Sequence, residues 1–137
     1  MKSTASAEWK GSLKEGNGTM NSTSSFFRNL PYTFNSRFEG GGKGTTPEEL
    51  IAAAHAGCYS MALSGDLGKA GIIPEHIETT STVTIENGTV TASHLVVKAK
   101  VPGISKEDFE KYAAGTKSTC PVSRALNLKI SLEAILL

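Results

Sequence analysis

The sequence predicts an α+β fold, with antiparallel strands packed around one central, buried helix. Three observations lead there. The segment Thr46-Pro47-Glu48-Glu49 starts a helix: a hydroxyl N-cap, proline at the first helical position and a glutamate at the third. The run Ala52-Ala53-Ala54-His55-Ala56-Gly57-Cys58-Tyr59-Ser60-Met61-Ala62-Leu63 is small or apolar nearly all round, as expected of a helix lying inside a protein. The pattern ends near Lys69 or Ala70, with Gly71 as the stop. Next, residues 77–86 and 89–101 alternate and are rich in Val, Ile and Thr, and Asn87-Gly88 between them suits a hairpin turn. Beyond Pro102-Gly103, Ser105 caps a second helix reaching about Lys117, Cys120-Pro121 opens a short third helix, and residues 128–137 alternate as a last strand.

The N-terminal part reads as strands and turns. A first strand is expected at Ala7–Lys10, a turn at Glu15-Gly16-Asn17-Gly18-Thr19, a return strand over residues 20–25 and a short strand over residues 31–34. At 137 residues the chain fits a single domain, 1–137, and has no room for two full cores.

Composition narrows the function. Fourteen basic and 13 acidic residues give a net charge of +1, and the cations are scattered, so nucleic acid is not an expected partner. The least polar run, residues 50–67, contains His55, Ser60, Ser64 and Asp66 and makes a poor membrane span. The polar start of the chain lacks an apolar signal core, so the expected location is the cytoplasm. Gly40-Gly41-Gly42-Lys43-Gly44-Thr45 looks like a phosphate loop, but glycine stands where Ser or Thr should come after the lysine. The cysteines and histidines lack paired-ligand spacing, so neither a metal nor another cofactor is expected.

Two cysteines remain to be explained. In a cytoplasmic chain a permanent disulfide is disfavoured, and composition alone ranks inert thiols first, ahead of redox chemistry. Cys58 lies mid-helix and needs a cation nearby to become a reactive thiolate. His55, one turn earlier, either shares its face or simply packs and finds a hydrogen-bond partner. Cys120, just before Pro121, reads as the more exposed and flexible thiol, suited to swinging toward a partner. Arg37, between Phe34 and Phe38, reads as a solvated arginine or a buried, paired cation. Glu48 precedes Cys58 by ten residues on one helix, about 15 Å of rise. If both serve one active site, two chains must combine to build it.

The block Arg37-Phe38-Glu39-Gly40, the run from Thr46 to Ser64 around Ala-His-Ala-Gly-Cys, and Cys120-Pro121-Val122-Ser123-Arg124-Ala125-Leu126 together resemble the osmotically inducible protein C (OsmC) family. That family is grouped with the organic hydroperoxide resistance proteins. The resemblance covers nearly the whole chain, and His55 is similar to the OsmC branch, where the sister branch has tyrosine. It implies an intertwined homodimer with two active sites at the interface. It also implies a peroxidase that reduces organic hydroperoxides, with Cys58 as peroxidatic and Cys120 as resolving cysteine, Glu48 orienting a catalytic arginine, and Arg37 as that arginine. The oxidised pair would be reset by a dithiol, typically a lipoyl group on another protein. Phe34, Phe38, Tyr59 and Met61 are candidate lining residues for the alkyl group. The alternative is a redox-sensing or ligand-binding relative without efficient turnover.

Overall fold

A computed structural model describes all residues, Met1–Leu137. Six strands and three α-helices keep the expected order: β1 Ala5–Lys10, β2 Asn17–Ser22, β3 Leu30–Thr33, α1 Pro47–Lys69, β4 His76–Glu86, β5 Thr89–Lys100, α2 Lys106–Thr119, α3 Pro121–Ala125 and β6 Lys129–Leu136. Contacts within the chain gather in two compact units, Met1–Leu50 and Ile51–Leu137.

The first unit is a three-stranded antiparallel sheet in the order β1-β2-β3. Asn17-Gly18 does not form the expected turn. Both residues are strand residues of β2, opposite Lys10 and Trp9. The turn comes earlier, closed by the Gly16 N–H donating to the Ser12 carbonyl at 2.9 Å. Glycine at position 18 answers to packing instead: a Cβ there would lie 2.5 Å from the Tyr32 ring and 2.6 Å from the Glu8 carbonyl oxygen. After β3 the chain makes a π-helical turn, Asn35–Glu39, which the sequence pattern did not suggest. Its start is held reciprocally: the Thr33 N–H donates to Ser36 Oγ at 2.9 Å and the Ser36 N–H to Thr33 Oγ1 at 3.0 Å. Gly40, at φ 66°, ends it.

The start of α1 obeys the sequence signals in part. The Glu49 N–H donates to Thr46 Oγ1 at 3.0 Å. The Glu49 carboxylate does not complete the box; it accepts from the Thr45 hydroxyl at 2.7 Å. At the other end, Ile72 N–H donates to Leu67 O and Gly71 N–H to Gly68 O, both at 3.0 Å, with Gly71 at φ 75°. This is the paired closure of a glycine-terminated helix.

In the second unit β4 and β5 form the expected antiparallel hairpin, with Asn87 at φ 51° and Gly88 at φ 75°. β6 pairs parallel to β5, so this sheet is mixed. The core gathers Tyr59, Leu63 and Leu67 of α1, Leu95, Val97 and Ala99 of β5, and Phe109 and Ala113 of α2, all fully buried. The spacing His55, Tyr59, Leu63, Leu67 places one buried residue per turn along one stripe of α1. In a single chain the face carrying Ala54, Gly57, Met61 and Ser64 is exposed, Met61 to 79%. No helix is long and apolar enough to cross a membrane.

Candidate active site

The residues expected to carry chemistry form two clusters, one in each unit. In the first, the π-helical turn aims Arg37 at the first turn of α1. Arg37 Nη2 donates to Glu48 Oε1 at 2.7 Å, and Nε lies 3.1 and 3.2 Å from the two carboxylate oxygens. The pair uses Nε and Nη2 and leaves Nη1 outside it. Glu48 is buried, whereas the Arg37 side chain keeps about a third of its surface, 36%, exposed. Burial opposes the Glu48 charge, but the Arg37 hydrogen bonds, its own backbone N–H and the guanidinium charge outweigh it, so its pKa lies below the usual value. The guanidinium carbon stands 4.9 Å from the centre of the Phe38 ring, which packs at 5.0 Å on Phe34. The result is a paired cation with fixed direction among aromatic rings. It borders an apolar pocket of about 190 Å³ to which Trp9, Leu13 and Tyr32 also contribute.

In the second cluster Cys120 Sγ donates to Cys58 Sγ across 3.3 Å, and both thiols are free. α1 supplies Cys58 from its middle. Cys120 ends α2, its N–H donating to Thr116 O at 2.9 Å, and precedes α3, where the Arg124 N–H donates to Cys120 O at 3.0 Å. The expectation of an exposed, mobile Cys120 fails: it is fully buried, and Cys58 is the partly exposed thiol. The cause is Pro121. Proline cannot continue α2, so the chain turns sharply into α3 and presses Cys120 into the core between the helices.

The two sulfurs titrate as one unit, because the remaining S–H steadies the first thiolate. Burial pushes the Cys58 thiol up, the Val122 N–H counters in part, and Cys120 pushes it further. Burial also opposes charge on Cys120, but the Ser123 N–H, the Cys58 S–H and the Ser123 hydroxyl outweigh it and bring that thiol below its ordinary value. Hydrogen-bond direction and titration thus point oppositely for the resting pair. The α3 N–H groups that favour charge on Cys120 are fixed by the helix, whereas an S–H rotates freely.

His55 is fully buried and satisfied at both ring nitrogens: Nδ1 is 2.7 Å from Ser93 Oγ and Nε2 is 2.8 Å from Ser123 Oγ. Burial holds its pKa below the usual value, keeping it neutral. Of the expected lining residues, Phe34 and Phe38 border the apolar pocket. Tyr59 is core, its hydroxyl donating to Ala113 O at 2.9 Å, and Met61 is on the open face of α1. Sequence reasoning missed Trp9 and Tyr32, whose only signal was strand alternation, Leu13, which lies in the turn between β1 and β2, and Ser93 and Ser123, which serine's commonness hides.

Residues 40–134 match the family model described as OsmC-like protein. The chain is 44% identical over 131 residues to peroxiredoxin OsmC of Escherichia coli (strain K12), covering 93% of this chain and 91% of the relative.

The chain belongs to the OsmC family.

Other members are more distant. An organic hydroperoxide resistance protein-like relative from Staphylococcus aureus (strain USA300) is 32% identical over 96 residues, covering 67% of this chain and 69% of that one. Among solved structures, an OsmC like protein from Mycoplasma pneumoniae superposes with a TM-score of 0.76 at 17% identity, covering 100% of this chain and 98% of that one. That likeness speaks for the OsmC fold alone.

Proposed function

We propose that this chain is a thiol-dependent peroxidase that reduces organic hydroperoxides to alcohols. The observation that carries the reading is the approach of two free thiols to 3.3 Å from elements 62 residues apart. Two sulfurs that close can join with little movement of either backbone. The relatives named peroxiredoxin OsmC and organic hydroperoxide resistance protein-like support the same class of activity.

The chemistry runs in three steps. The Cys58 thiolate attacks one peroxide oxygen, the O–O bond breaks, and the departing alkoxide takes a proton to become the alcohol. Cys58 is left as a sulfenic acid. Cys120 attacks that sulfur, forming the Cys58–Cys120 disulfide and releasing water before further oxidation. A dithiol, such as the lipoyl group of a lipoylated protein, then exchanges with the disulfide and restores both thiols. Cys58 is assigned the first role because it is the partly exposed thiol.

One protomer alone raises the Cys58 pKa, so the thiolate needs a cation from elsewhere. We assign that cation to Arg37, steered by Glu48, supplied by a second copy of the chain in a homodimer. Helix α1 is unbroken from Pro47 to Lys69, so ten residues of rise separate Glu48 from the cysteine of its own chain. The open face of α1, with Ala54, Gly57 and Met61, gives the second copy a place to pack. The aromatic pocket beside Arg37 would favour an alkyl or aryl hydroperoxide over hydrogen peroxide. The cytoplasm suits a reaction that depends on a dithiol.

A second reading, a redox sensor that oxidises once and does not cycle, is favoured by the same raised Cys58 thiol. Steady-state consumption of cumene hydroperoxide with dihydrolipoamide separates the two. Many turnovers, abolished by Cys58→Ser, support the peroxidase. A single equivalent consumed, or activity untouched by Cys58→Ser, contradicts it.

A further inference from the structure

Two contacts tie the short helix α3 to α1, one turn apart on each. Cys120 Sγ, at the start of α3, lies 3.3 Å from Cys58 Sγ of α1. Ser123 Oγ, three residues after Cys120, lies 2.8 Å from Nε2 of His55, three residues before Cys58. The His55 ring is held from its other side by the sheet. Its Nδ1 lies 2.7 Å from Ser93 Oγ of β5, which lies 3.0 Å from Ser81 Oγ of β4. His55, Ser93 and Ser123 are buried, and no buried side-chain nitrogen or oxygen is without a partner. A fully satisfied polar group of this kind fixes direction in a core otherwise built from Tyr59, Leu63 and Leu67. Helix α3 needs such a fixing. At five residues it is too short to hold itself. Val122 joins it to the apolar core, but that contact has no direction. Ser123 is its one buried residue, and the bond to His55 is its one side-chain bond to another element.

We propose that His55 is a positioning residue for disulfide closure: by holding Ser123 it keeps α3, and with it the backbone of Cys120, at the place on α1 where the two sulfurs meet. Its use in turnover rests on the two-cysteine peroxidase reading; the positioning itself does not. The link from Ser123 to Cys120 is the chain itself, one helical turn closed by the Arg124 N–H donating to Cys120 O at 3.0 Å. No bond from the imidazole to either sulfur is required. To join, the sulfurs must close from 3.3 Å to about 2.05 Å, which side-chain rotation covers while both backbones stay in place. Displacing one reacting group by about 1 Å can cost about a hundredfold in an oriented reaction. The bond between His55 and Ser123 does not depend on the state of the sulfurs, so it keeps α3 in place after the disulfide has been reduced.

A redox equilibrium that needs no peroxide tests it. Dithiothreitol gives two electrons and two protons to the Cys58–Cys120 disulfide and closes to its own cyclic disulfide. The balance point gives the effective concentration of one cysteine toward the other. Destabilisation shared by the oxidised and reduced proteins cancels from it. His55→Leu keeps a buried side chain and removes the bond to α3; Ser123→Ala removes the same bond from the other end. Each should lower the effective concentration about tenfold, and the double variant should fall no more than about twofold below the lower single. Leu67→Ala, nine residues beyond Cys58, should lower the melting temperature and leave the balance within about twofold. Single variants within about threefold of the original, losses that multiply in the double variant, or an equal fall in Leu67→Ala overturns the proposal. Amide hydrogen exchange of the unaltered, reduced protein gives an arm free of folding effects. The Arg124 and Leu126 N–H groups, bonded to Cys120 O and Val122 O, should be protected at least about a hundredfold over an open chain. Free exchange at both beside a protected α1 means that α3 is not held without the disulfide, and overturns the proposal. If both arms succeed but cumene hydroperoxide is not turned over, the peroxidase reading fails and the positioning role stands.

Discussion

Arg37 and Glu48 are useful to each other before they are useful to any substrate. The buried carboxylate requires a partner, and the guanidinium requires a direction. Replacing Arg37 with Lys keeps the charge and loses the fork, and we expect kcat/KM for a hydroperoxide to fall roughly ten- to a hundredfold, with the Cys58 pKa moving upward in thiol-labelling profiles. Glu48→Gln should lower activity in the same direction, since it frees the guanidinium to wander. Groups shifted by folding also set how stability varies with pH, Glu48, His55 and Asp66 among them. Glu48 has its pKa lowered on folding, so its contribution is complete above its ordinary value of 4.5 and is lost as pH falls through the folded value. His55 is also lowered, from 6.5, so the unfolded chain takes up a proton that the folded chain refuses, and stability falls as pH drops below that value. Melting temperature against pH should fall in both ranges, and Glu48→Gln should weaken only the more acidic fall, the rest of which Asp66 carries through its bonds to Lys69 and Thr116.

Among the elements, α1 carries the most information and shows best what a sequence discloses. Its boundaries were legible because Thr46, Pro47 and Gly71 each act through local backbone chemistry. The hairpin was legible for the same reason, Asn87-Gly88 being suited to positive φ at both positions. Gly18 misled because glycine serves close approach as well as turns, and only the Tyr32 ring beside it tells which. The parallel register of β6 on β5 rests on non-local pairing that alternation does not encode. For the site, motif resemblance named Cys58, Cys120, Arg37 and Glu48. The burial of Cys120 and the two serines bonded to His55 are products of tertiary packing, which no local pattern carries. The attachment of α1 to α2 can be tested directly. Tyr59→Phe removes a buried hydroxyl that donates to Ala113 O, and should cost about 1–2 kcal/mol in denaturant unfolding. Leu63→Ala, which opens a cavity in the fully buried stripe, should cost about 2–5 kcal/mol.

For the molecule as a whole, the proposed chemistry requires two copies. Ala54, Gly57 and Met61 on the open face of α1 form a surface with little reason to face water. Sedimentation should find a dimer, and Met61→Glu should weaken it and reduce peroxidase activity together. If each site joins Arg37 of one chain to Cys58 of the other, mixing inactive Arg37→Ala and Cys58→Ser chains through unfolding and refolding should recover activity. Up to about a quarter of the original is expected, because half the dimers are mixed and each of those holds one intact site. The order of events, in which Cys58 meets the peroxide and Cys120 closes on it, can be read at the residues themselves. One equivalent of cumene hydroperoxide is added to the reduced protein, and digested peptides are mapped by mass spectrometry. We predict a Cys58–Cys120 disulfide in the unaltered chain and a trapped sulfenic acid at Cys58 in Cys120→Ser. Oxidation appearing first at Cys120, or a disulfide only between two chains, would contradict it.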